Sequence, residues 1–515
     1  MTATSAPAAD FDAIVIGGGH NGLVTAAYLA RAGRSVLVLE ARAEVGGTAG
    51  SEGFGGAMVN ICNCDHVTFR TTPVMSELDL ERHGLEYLDV EPAGMSVAWA
   101  GGDPFVSWHD AARTIDGLGR SHPQDVDGYR TYLRSAVPAV RTILQVANEP
   151  PTLKRLVRVA VETRLRGLPT VFGWSRRSAA DVMRRHFSHP VVQGAGLVAG
   201  PMVWGISPET PGTGLGALGY AMRHVAQVGR PVGGSGRVPL ALRRSLEHHG
   251  GTVRTSSRVT AIVCDGEAVR GVRLDDGTEV TAPVVVSAAD PRRTFVEWLQ
   301  HAPSGARKLV DRWVATTPED GFESKIDAVV TEVPQLRGAE ASPASTLTLV
   351  PTIAEMHDAA AWMPSGRILD QPAMFVNVPS VLDPTLAPPG RHVFSLEVLL
   401  TPYRRPEGWP DSPEPARWLD LVASRCDNDF LASIESYRAM TPDVYERDFH
   451  LPNGHATSFG GGPLAALRST EPERTRYETA VPGLYLTGAA TFPGAGIWGA
   501  SGRNCATVIL EHTDV

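Results

Sequence analysis

The first forty residues combine apolar runs with a glycine-rich turn in a pattern that predicts a βαβ unit. The run "AIVI" has the length of a strand and no polar position, which is typical of a parallel strand covered on both faces. "GLVTAAYLARAG" carries apolar residues at helical spacing and ends in glycine, and "SVLVLE" is the next apolar run. A strand, a glycine turn, a helix and a second strand in this order predict a right-handed crossover.

The hydrophobic pattern changes twice further along the chain. Residues 95–230 show helical patterns and several prolines, which predict a separate helical lobe or insertion. Beyond residue 250, short strand-like runs separated by Asp-Gly turns at 265–266 and 276–277 predict a meander of hairpins. Residues 300–450 alternate strand-like runs with polar loops, and a helical pattern covers about 415–440.

A basic segment lies within the predicted helical lobe. Between 151 and 190 there are nine Lys or Arg and two acids, and the apolar residues at helical spacing are Leu153, Leu156, Val157, Ala160, Val161, Leu165 and Leu168. Two interpretations fit this pattern: membrane contact through 153–185, or a solvated helix whose apolar face packs on the lobe. The second is favoured because membrane-surface helices usually expose bulky aromatic residues, which are few here.

Composition limits the classes of partner and compartment. The chain has 515 residues, 43% hydrophobic and 20% charged, which is enough for a large core in two or more domains. A formal net charge of -9 excludes a global attraction to nucleic acid or to an anionic membrane. The opening "MTATSAPAAD" lacks a secretory pattern, and no apolar run reaches the roughly 20 residues that span a bilayer. We expect a cytoplasmic protein in which any membrane association is local.

The cysteines indicate reduced thiols. They are five in number and scattered, namely Cys62, Cys64, Cys264, Cys426 and Cys505. An odd, scattered set is typical of a chain without a disulfide framework. The first two form a C-x-C motif, but no second pair stands at zinc spacing, so we expect no metal site.

The glycine turn of the βαβ unit has the spacing of a dinucleotide-binding loop. Gly17, Gly19 and Gly22 form G-x-G-x-x-G between the first strand and the helix, whose first turn includes His20 and Asn21. In such loops the first glycine allows a tight turn, the second lets the backbone approach a pyrophosphate, and the third permits close packing. The helix start then offers free N–H groups to the phosphates.

An acidic residue stands where a ribose would be bound. Glu40 ends the second strand, 18 residues after the last glycine of the loop, and an acid at this position binds the ribose hydroxyls. Because an acid disfavours a 2′-phosphate, the choice is FAD or NAD.

The residues after Glu40 distinguish between FAD and NAD. "EARAEVGGTAGS" contains Ala41, Arg42, Gly46, Gly47 and Thr48 in the pattern E-x-R-x-x-x-G-G. This pattern resembles the flavoprotein extension of amine oxidases, phytoene desaturases and related FAD enzymes.

Three later stretches resemble the same superfamily. They are "PVGGSGRVPLALRRSLEHHGGTVRTSSRVTAIV", "VVVSAADP" and the closing "GLYLTGAATFPGAGIWGASGRNCA". They are most similar to phytoene desaturase-type oxidoreductases, in the branch with the pyridine nucleotide-disulphide oxidoreductase domain-containing proteins.

The resemblance implies an α/β fold in several pieces. We expect a discontinuous, glutathione reductase-like Rossmann-type FAD-binding domain and an α+β substrate domain with a helical insertion. The expected boundaries are a tail at 1–10, FAD-binding parts at 11–94, 230–299 and 450–515, and substrate-domain parts at 95–229 and 300–449. The glycine-rich segment near residue 490 then closes the flavin end; its alternative is a turn before a packing helix.

The resemblance also implies cofactor contacts outside the first loop. Val259 would contact the adenine through its backbone, and Ser287 and Ala288 would lie beside the dinucleotide. The strand "LYLTG" would bring Gly488 and Ala489 to the pyrophosphate and ribityl chain. Near the flavin ring the implied contacts are Gly496, Ile497 and Trp498, followed by a helix whose start would face the ring.

Candidates for catalysis are fewer. By the resemblance, the loop "NICNCDHVTF" comes beneath the flavin, so Asp65 and His66 are candidates to orient substrate or move a proton; the alternative is a helix cap and an ordinary polar residue. His455 is the histidine nearest to one that relatives carry in "LPNGHATSFGGGPLAALRS", although Phe459 aligns better. Arg503 follows the start of the closing helix and would support the reduced ring or form a structural salt bridge.

These features predict an FAD-dependent oxidoreductase that desaturates a C–C bond of a lipophilic or conjugated small molecule. No redox cysteine pair is found, which favours direct oxidation by FAD with oxygen or a quinone as acceptor. The alternatives are a redox-neutral isomerase with reduced FAD, an amine oxidase and, more distantly, a flavin-free escort protein of the same scaffold.

Overall fold

The computed structural model describes residues 9–62, 65–340, 342–460 and 471–513. Its helices in chain order are α1 (His20–Arg31), α2 (Val74–Glu77), α3 (Ala111–Ser121), α4 (Val126–Ala147), α5 (Leu153–Glu162), α6 (Leu168–Trp174), α7 (Ala179–His186), α8 (Pro190–Val198), α9 (Gly219–Val225), α10 (Arg237–His248), α11 (Arg307–Ala315), α12 (Ile353–Trp362), α13 (Pro379–Leu382), α14 (Glu414–Ala423), α15 (Pro442–Phe449), α16 (Pro472–Thr475) and α17 (Ala500–Thr513).

The strands belong to three larger sheets and two short ribbons. In chain order they are β1 (Ala13–Ile16), β2 (Val36–Leu39), β3 (Ser51–Phe54), β4 (Ala57–Asn60), β5 (Tyr87–Asp89), β6 (Gly94–Ala98), β7 (Phe105–Ser107), β8 (Gly229–Pro231), β9 (Thr252–Arg254), β10 (Val259–Cys264), β11 (Val269–Leu274), β12 (Glu279–Thr281), β13 (Val284–Ser287), β14 (Leu299–Gln300), β15 (Glu323–Val330), β16 (Leu347–Val350), β17 (Met374–Asn377), β18 (His392–Leu399), β19 (Ile434–Met440) and β20 (Leu484–Leu486).

The five-stranded sheet is parallel and brings the two ends of the chain together. Its strand order is β20-β13-β1-β2-β9, so the last strand lies two places from the first. All four residues of β1, β2 and β13 are buried, as expected for strands covered on both faces. The strands come from three separate stretches of sequence, and the predicted fold class is confirmed.

The hairpin meander lies beside this sheet. β10 pairs with β11 and β11 with β12, both antiparallel, as the Asp-Gly turns predict. The short strand β14 adds in parallel to β10. Buried side chains of the meander share one core cluster with β1 and β2, which fixes the two sheets against each other.

The seven-stranded sheet has one apolar and one polar face. Its order is β19-β15-β18-β17-β16-β6-β7. Alternate residues of β15 point to opposite faces. Ile326, Ala328 and Val330 pack with Trp418 of α14 in one core cluster. Glu323, Lys325 and Asp327 of β15, considered below, point to the opposite face.

The helical lobe is organised around α4. Tyr129 and Tyr132 on this helix are fully buried and pack with Phe105, Phe187 and Tyr220. Each buried hydroxyl group is satisfied, since Tyr129 is hydrogen-bonded to His224 and Tyr132 donates to a backbone carbonyl. The lobe is mainly helical as predicted, but its first residues form β6 and β7 of the seven-stranded sheet.

Two sequence predictions for secondary structure were wrong in detail. The helical pattern at 415–440 ends at Ala423, and the later part becomes β19 because Ile434–Met440 pairs with β15. The basic segment is not one helix, because the backbone turns at Arg164 and Leu165, which have φ of 51° and 59°. The favoured interpretation was that the apolar face of this segment packs on the lobe. That face is only partly buried, because Leu153, Val157, Val161 and Leu165 are exposed.

No helix in the described ranges is long and apolar enough to cross a membrane.

Candidate functional site

The three positions of the first loop differ in why they need glycine. Gly17 has φ of 101°, a left-handed conformation that favours glycine. A Cβ at Gly22 would lie 2.2 Å from the carbonyl oxygen of Gly17, so this position needs glycine for packing. Gly19 has an ordinary φ of -67°, and a Cβ there would meet no protein atom within 4 Å. The fold itself therefore does not require glycine at Gly19, whereas a phosphate group beside it would.

The start of α1 is arranged to receive an anion. Gly19 is the N-cap of α1, and no side chain caps the helix. The first N–H groups of a helix lack internal partners and carry the positive end of its dipole. Together with the open space at Gly19, this fits the pyrophosphate of a dinucleotide. His20 and Asn21 occupy this first turn, as the sequence predicts.

Glu40 is held rigidly at the end of β2. Its carboxylate accepts hydrogen bonds from the backbone N–H of Gly18 at 2.7 Å and of Arg42 at 2.8 Å. The side chain is buried, and its remaining lone pairs are available to ribose hydroxyls. The backbone of Ser257 donates to the Glu40 carbonyl at 2.8 Å, which places Val259, two residues later, near the same end of the sheet.

The second glycine segment lies directly against the first loop. Gly46 donates its backbone N–H to Gly18, and a Cβ at Gly47 would lie 3.6 Å from the Cα atom of Gly19. Ala41 and Arg42 lead into this segment, and Thr48 lies in the helical turn that follows it. The Arg42 side chain turns outward to Glu52 and stacks over Phe449 at 4.1 Å.

The carboxyl end of β13 completes this part of the cleft. Ala288 donates its N–H to Ile16 and lies against both Gly17 and Gly22, since added Cβ atoms there would meet it at 3.6 and 3.1 Å. Ser287 is fully buried and shares a hydrogen bond with Thr294 at 2.7 Å. Both residues thus lie beside the glycine loop, and the Ser287 hydroxyl is engaged within the protein.

The closing helix α17 packs on the opening helix α1. A Cβ at Gly502 would lie 2.3 Å from the carbonyl oxygen of Asn21, so the two helices touch through backbone. Asn21 accepts from the Gly502 N–H at 3.3 Å, and the Thr25 hydroxyl donates to the Gly502 carbonyl at 3.0 Å. Ser501 accepts from the N–H of Gly488 at 3.0 Å, which ties the loop after β20 to the same helix.

The segment before α17 lies along the first turn of α1. The His20 ring is hydrogen-bonded to the backbone of Gly496, which has φ of 104° and is exposed. Burial lowers the pKa of His20 to about 4, so this ring is neutral at physiological pH. Ile497 accepts from the Thr68 hydroxyl at 3.2 Å, and Trp498 is partly buried against Gly496. Ala489 accepts from the backbone of Phe459, further along the same cleft.

Asp65 forms a buried ion pair and does not cap a helix. Its carboxylate lies 2.6 Å from the Nε of Arg230 and accepts from the Thr346 hydroxyl at 2.7 Å. Burial acts to raise the pKa of Asp65, but the Arg230 charge and these hydrogen bonds outweigh it and leave the pKa below its usual range. Asp65 is therefore an ionised residue that fixes Arg230. Residues 63 and 64, which precede Asp65, lie outside the described residues.

His66 is buried with both ring nitrogens engaged. One nitrogen is 2.8 Å from the Tyr87 hydroxyl and the other 2.9 Å from the Ser235 hydroxyl. Burial, with a contribution from the nearby His20, lowers the pKa of His66 to about 3. The ring is thus neutral and orients its neighbours. The structure brings it close to the first turn of α1.

His455 and Phe459 occupy different surroundings. His455 lies 3.3 Å from the carboxylate of Glu319 and packs on Phe322. Phe459 packs edge-on against Phe492, and its carbonyl lies close to Gly494 in the segment before α17. The residues from 461 to 470 of this stretch lie outside the described part of the chain. Of the two residues, Phe459 is the one in contact with the segment before α17.

Arg503 is a structural residue. Its guanidinium pairs with both carboxylate oxygens of Glu77 at 2.8 and 2.9 Å and donates to the Asn148 carbonyl at 2.7 Å. Of the two interpretations, the salt bridge is the one the geometry supports.

The polar face of the seven-stranded sheet adds residues that the sequence reasoning missed. Glu323, Lys325 and Asp327 alternate along β15, and Glu397 of β18 lies directly opposite Lys325. The Lys325 ammonium pairs with Asp327 and donates to the Asn60 carbonyl at 2.9 Å. The alternation of charged residues in "ESKIDAVV" is a two-residue period and was the available signal.

Burial raises the pKa of two acids on this face. Burial, with the neighbouring Glu323 carboxyl, raises the pKa of Glu397 to about 8. Burial also raises the pKa of Glu323, which accepts a weak hydrogen bond from the Cys62 thiol at 3.8 Å. Asn60 connects this face to the cleft, since its side chain accepts from the Ser51 hydroxyl and from the Ser235 N–H.

Comparison with known proteins identifies related chains. The family model described as flavin containing amine oxidoreductase matches residues 22–310. The mouse pyridine nucleotide-disulfide oxidoreductase domain-containing protein 2 is 29% identical, over 98% of this chain and 94% of the mouse protein. The lycopene-forming phytoene desaturase of Pseudescherichia vulneris is 25% identical, over 97% of this chain and 99% of its own.

Solved structures share the fold at lower identity. The cyclohexylamine oxidase of Brevibacterium oxydans superposes with a TM-score of 0.59 at 16% identity, over 98% of this chain and 100% of the oxidase. At that identity the likeness establishes the fold alone.

Proposed function

This chain belongs to the flavin-containing amine oxidoreductase family, and on that premise we propose that it desaturates a C–C bond of a lipophilic or conjugated small molecule. It is an FAD-dependent oxidoreductase of the amine oxidase and phytoene desaturase type. The escort-protein alternative is thereby set aside, while the bond that is oxidised is the subject of the proposal.

The residues of the chain have positioning roles in this reaction. Bound FAD supplies hydride acceptance at its N5 atom. The open space at Gly19 and the uncapped start of α1 would hold the pyrophosphate, and Glu40 would hold the ribose. The segment from Gly494 to Trp498 would lie beside the flavin ring, and the positive φ of its glycines would allow close approach of the backbone.

The observation that carries the proposal is that the buried charges of Asp65 and of the polar face of β15 are paired within the protein. Asp65 pairs with Arg230, and Asp327 pairs with Lys325 and, at 3.3 Å, with Arg438. The raised pKa of Glu397 leaves that acid neutral. These groups offer no free charge to a charged substrate, which favours a neutral one. The similarity to a phytoene desaturase over nearly the whole chain supports the same choice.

The electron acceptor is proposed to be oxygen or a quinone. A further G-x-G-x-x-G sequence in the middle of the chain, at 214–219, lies within helical turns and not between a strand and a helix, so it does not form a nicotinamide-binding loop. Electrons taken from the substrate must therefore leave FAD through an acceptor that needs no such site.

Anaerobic reduction of the bound FAD tests the proposal. The holoenzyme is mixed with candidate substrates in the absence of oxygen, and the loss of oxidised-flavin absorbance is followed. Neutral conjugated or isoprenoid hydrocarbons should bleach the flavin, and primary amines of similar size should not. Bleaching by amines with peroxide formation in air would contradict the proposal and favour amine oxidation. Turnover by pre-reduced enzyme without any acceptor would favour the isomerase.

A further inference from the structure

We propose that α5 and the turn after it form a docking surface for an anionic lipid bilayer. The surface consists of an apolar stripe, namely Leu153, Val157, Val161 and Leu165, and of the basic residues beside it. This inference concerns binding and does not depend on which bond the enzyme oxidises.

The apolar stripe is exposed along its whole length. Leu153, Val157, Val161 and Leu165 have relative exposures of 67, 54, 69 and 58%. Residues four apart lie one above another on a helix, so the first three form a single line on α5. Isolated exposed aliphatic residues are ordinary, but a continuous line of them is typical of helices that lie in a membrane interface.

The charges beside the stripe match an anionic surface. Lys154 and Arg158 are exposed on α5 next to the stripe, and Arg164 and Arg166 are exposed in the turn that follows. Arg158 is paired with Glu149. For Lys154, Arg164 and Arg166, no ion-pair partner is found in the part of the chain that the structure describes. In a chain with a net charge of -9, this local basic patch is the place where anionic headgroups would be attracted.

The turn after α5 leaves its apolar residue exposed. Arg164 and Leu165 have positive φ, which ends α5 and turns the chain without burying Leu165. Phe172 on the next helix, α6, is 43% exposed and supplies an aromatic residue of the kind that inserts at membrane interfaces. These features argue for a bilayer as the occupant, because each has a counterpart in the acyl or headgroup region.

The opposite face of α5 packs on the flavin end of the molecule. Val159 is buried with Val146 and Phe492, and Leu156 and Phe459 pack on this cluster. Phe492 lies two residues before Gly494, where the glycine segment along the predicted flavin ring begins. Docking through the stripe therefore places the bilayer about one helix diameter, roughly 10 Å, from the flavin end. If the proposed function holds, a lipophilic substrate dissolved in the bilayer would reach the cleft over a short path.

Vesicle flotation of the full-length holoenzyme tests the docking surface. Vesicles of phosphatidylglycerol and phosphatidylcholine, and of phosphatidylcholine alone, are the probes. We expect binding to the anionic vesicles and at least about ten-fold weaker partition for the variant Val157→Glu/Val161→Glu. The matched control is Val314→Glu, because Val314 on α11 is 53% exposed and lies outside the stripe. This control should float like the parent enzyme.

A charge variant separates the two parts of the interaction. Lys154→Gln/Arg164→Gln/Arg166→Gln should weaken binding to anionic vesicles and remove most of its dependence on salt. Flavin content per chain verifies that each variant is folded. Equal flotation of the stripe variant and the parent would overturn the proposal. A parent enzyme that does not float with anionic vesicles would also overturn it. So would light scattering that shows the parent to be a dimer and the stripe variant a monomer, because the stripe would then be a dimer interface.

These outcomes are independent of the proposed reaction. Flotation is measured without turnover, so a failure of desaturation leaves the docking result intact, and a failure to float leaves the substrate tests intact.

Discussion

Gly19 and Gly22 lie three residues apart in one loop, yet a side chain at each would meet different neighbours. A Cβ at Gly19 meets no protein atom, whereas at Gly22 it meets the Gly17 carbonyl at 2.2 Å. We expect Gly19→Val to abolish FAD retention while changing the stability of the flavin-free protein by about 1 kcal/mol or less. Gly22→Ala should destabilise the flavin-free protein itself by about 1–3 kcal/mol.

The measurements are FAD per purified chain and the unfolding free energy of the flavin-free protein. If the Gly19→Val protein kept its full FAD content, the pyrophosphate would not bind beside Gly19.

Glu397 gives a pH-dependent prediction at the same scale. Its folded pKa is raised from 4.5 to about 8, so its contribution to stability is fully present below about pH 4.5 and is lost as the pH rises toward 8. Glu397→Gln removes this loss. The variant should gain stability over the parent by about 1 kcal/mol per pH unit between pH 5 and 8. Chemical denaturation at several pH values measures the difference, and a constant difference would mean that Glu397 is charged in the folded protein.

At the scale of elements, the contact between α1 and α17 is the critical junction. Gly502 allows backbone contact with Asn21, and a Cβ there would lie 2.3 Å from the Asn21 carbonyl oxygen. We expect Gly502→Ala to lower stability by about 2 kcal/mol and to weaken FAD retention, because it separates the opening and closing helices. Gly173→Ala is the control, since Gly173 is also helical and a Cβ there meets nothing within 4 Å.

The control should be neutral or stabilising by about 0.5–1 kcal/mol, as for an unhindered glycine in a helix. Thermal unfolding and flavin content together check both variants. If Gly502→Ala behaved like the control, the two helices would not be in the contact described.

The elements also indicate where sequence reasoning succeeds. The opening βαβ unit and the meander were predictable because the local pattern and the tertiary role agree: buried parallel strands are apolar throughout, and Asp-Gly sequences form hairpin turns. The region at 415–440 was not, because β19 owes its conformation to pairing with β15, which lies about one hundred residues earlier. The pairing of Glu397 with Lys325 was likewise not predictable from local sequence, since only strand register brings the two residues together.

At the scale of the whole molecule, three distant stretches of sequence form one parallel sheet. The family, the fold class and FAD were predicted correctly, but from motif resemblance more than from physics, since hydrophobic periodicity does not reveal which strands pair at long range. The predicted domain boundaries and the individual site residues remain predictions, although the structure brings most of the cofactor set to one cleft. His455 lies beside Glu319.

The most direct measurement of the central claim is the FAD stoichiometry of the parent chain and of two variants altered at opposite ends, Gly19→Val and Gly502→Ala. We predict one FAD per parent chain, with FAD lost or weakly held in both variants. The claim that the two ends of the chain enclose a single FAD would be contradicted by a variant at either end that retains FAD as tightly as the parent.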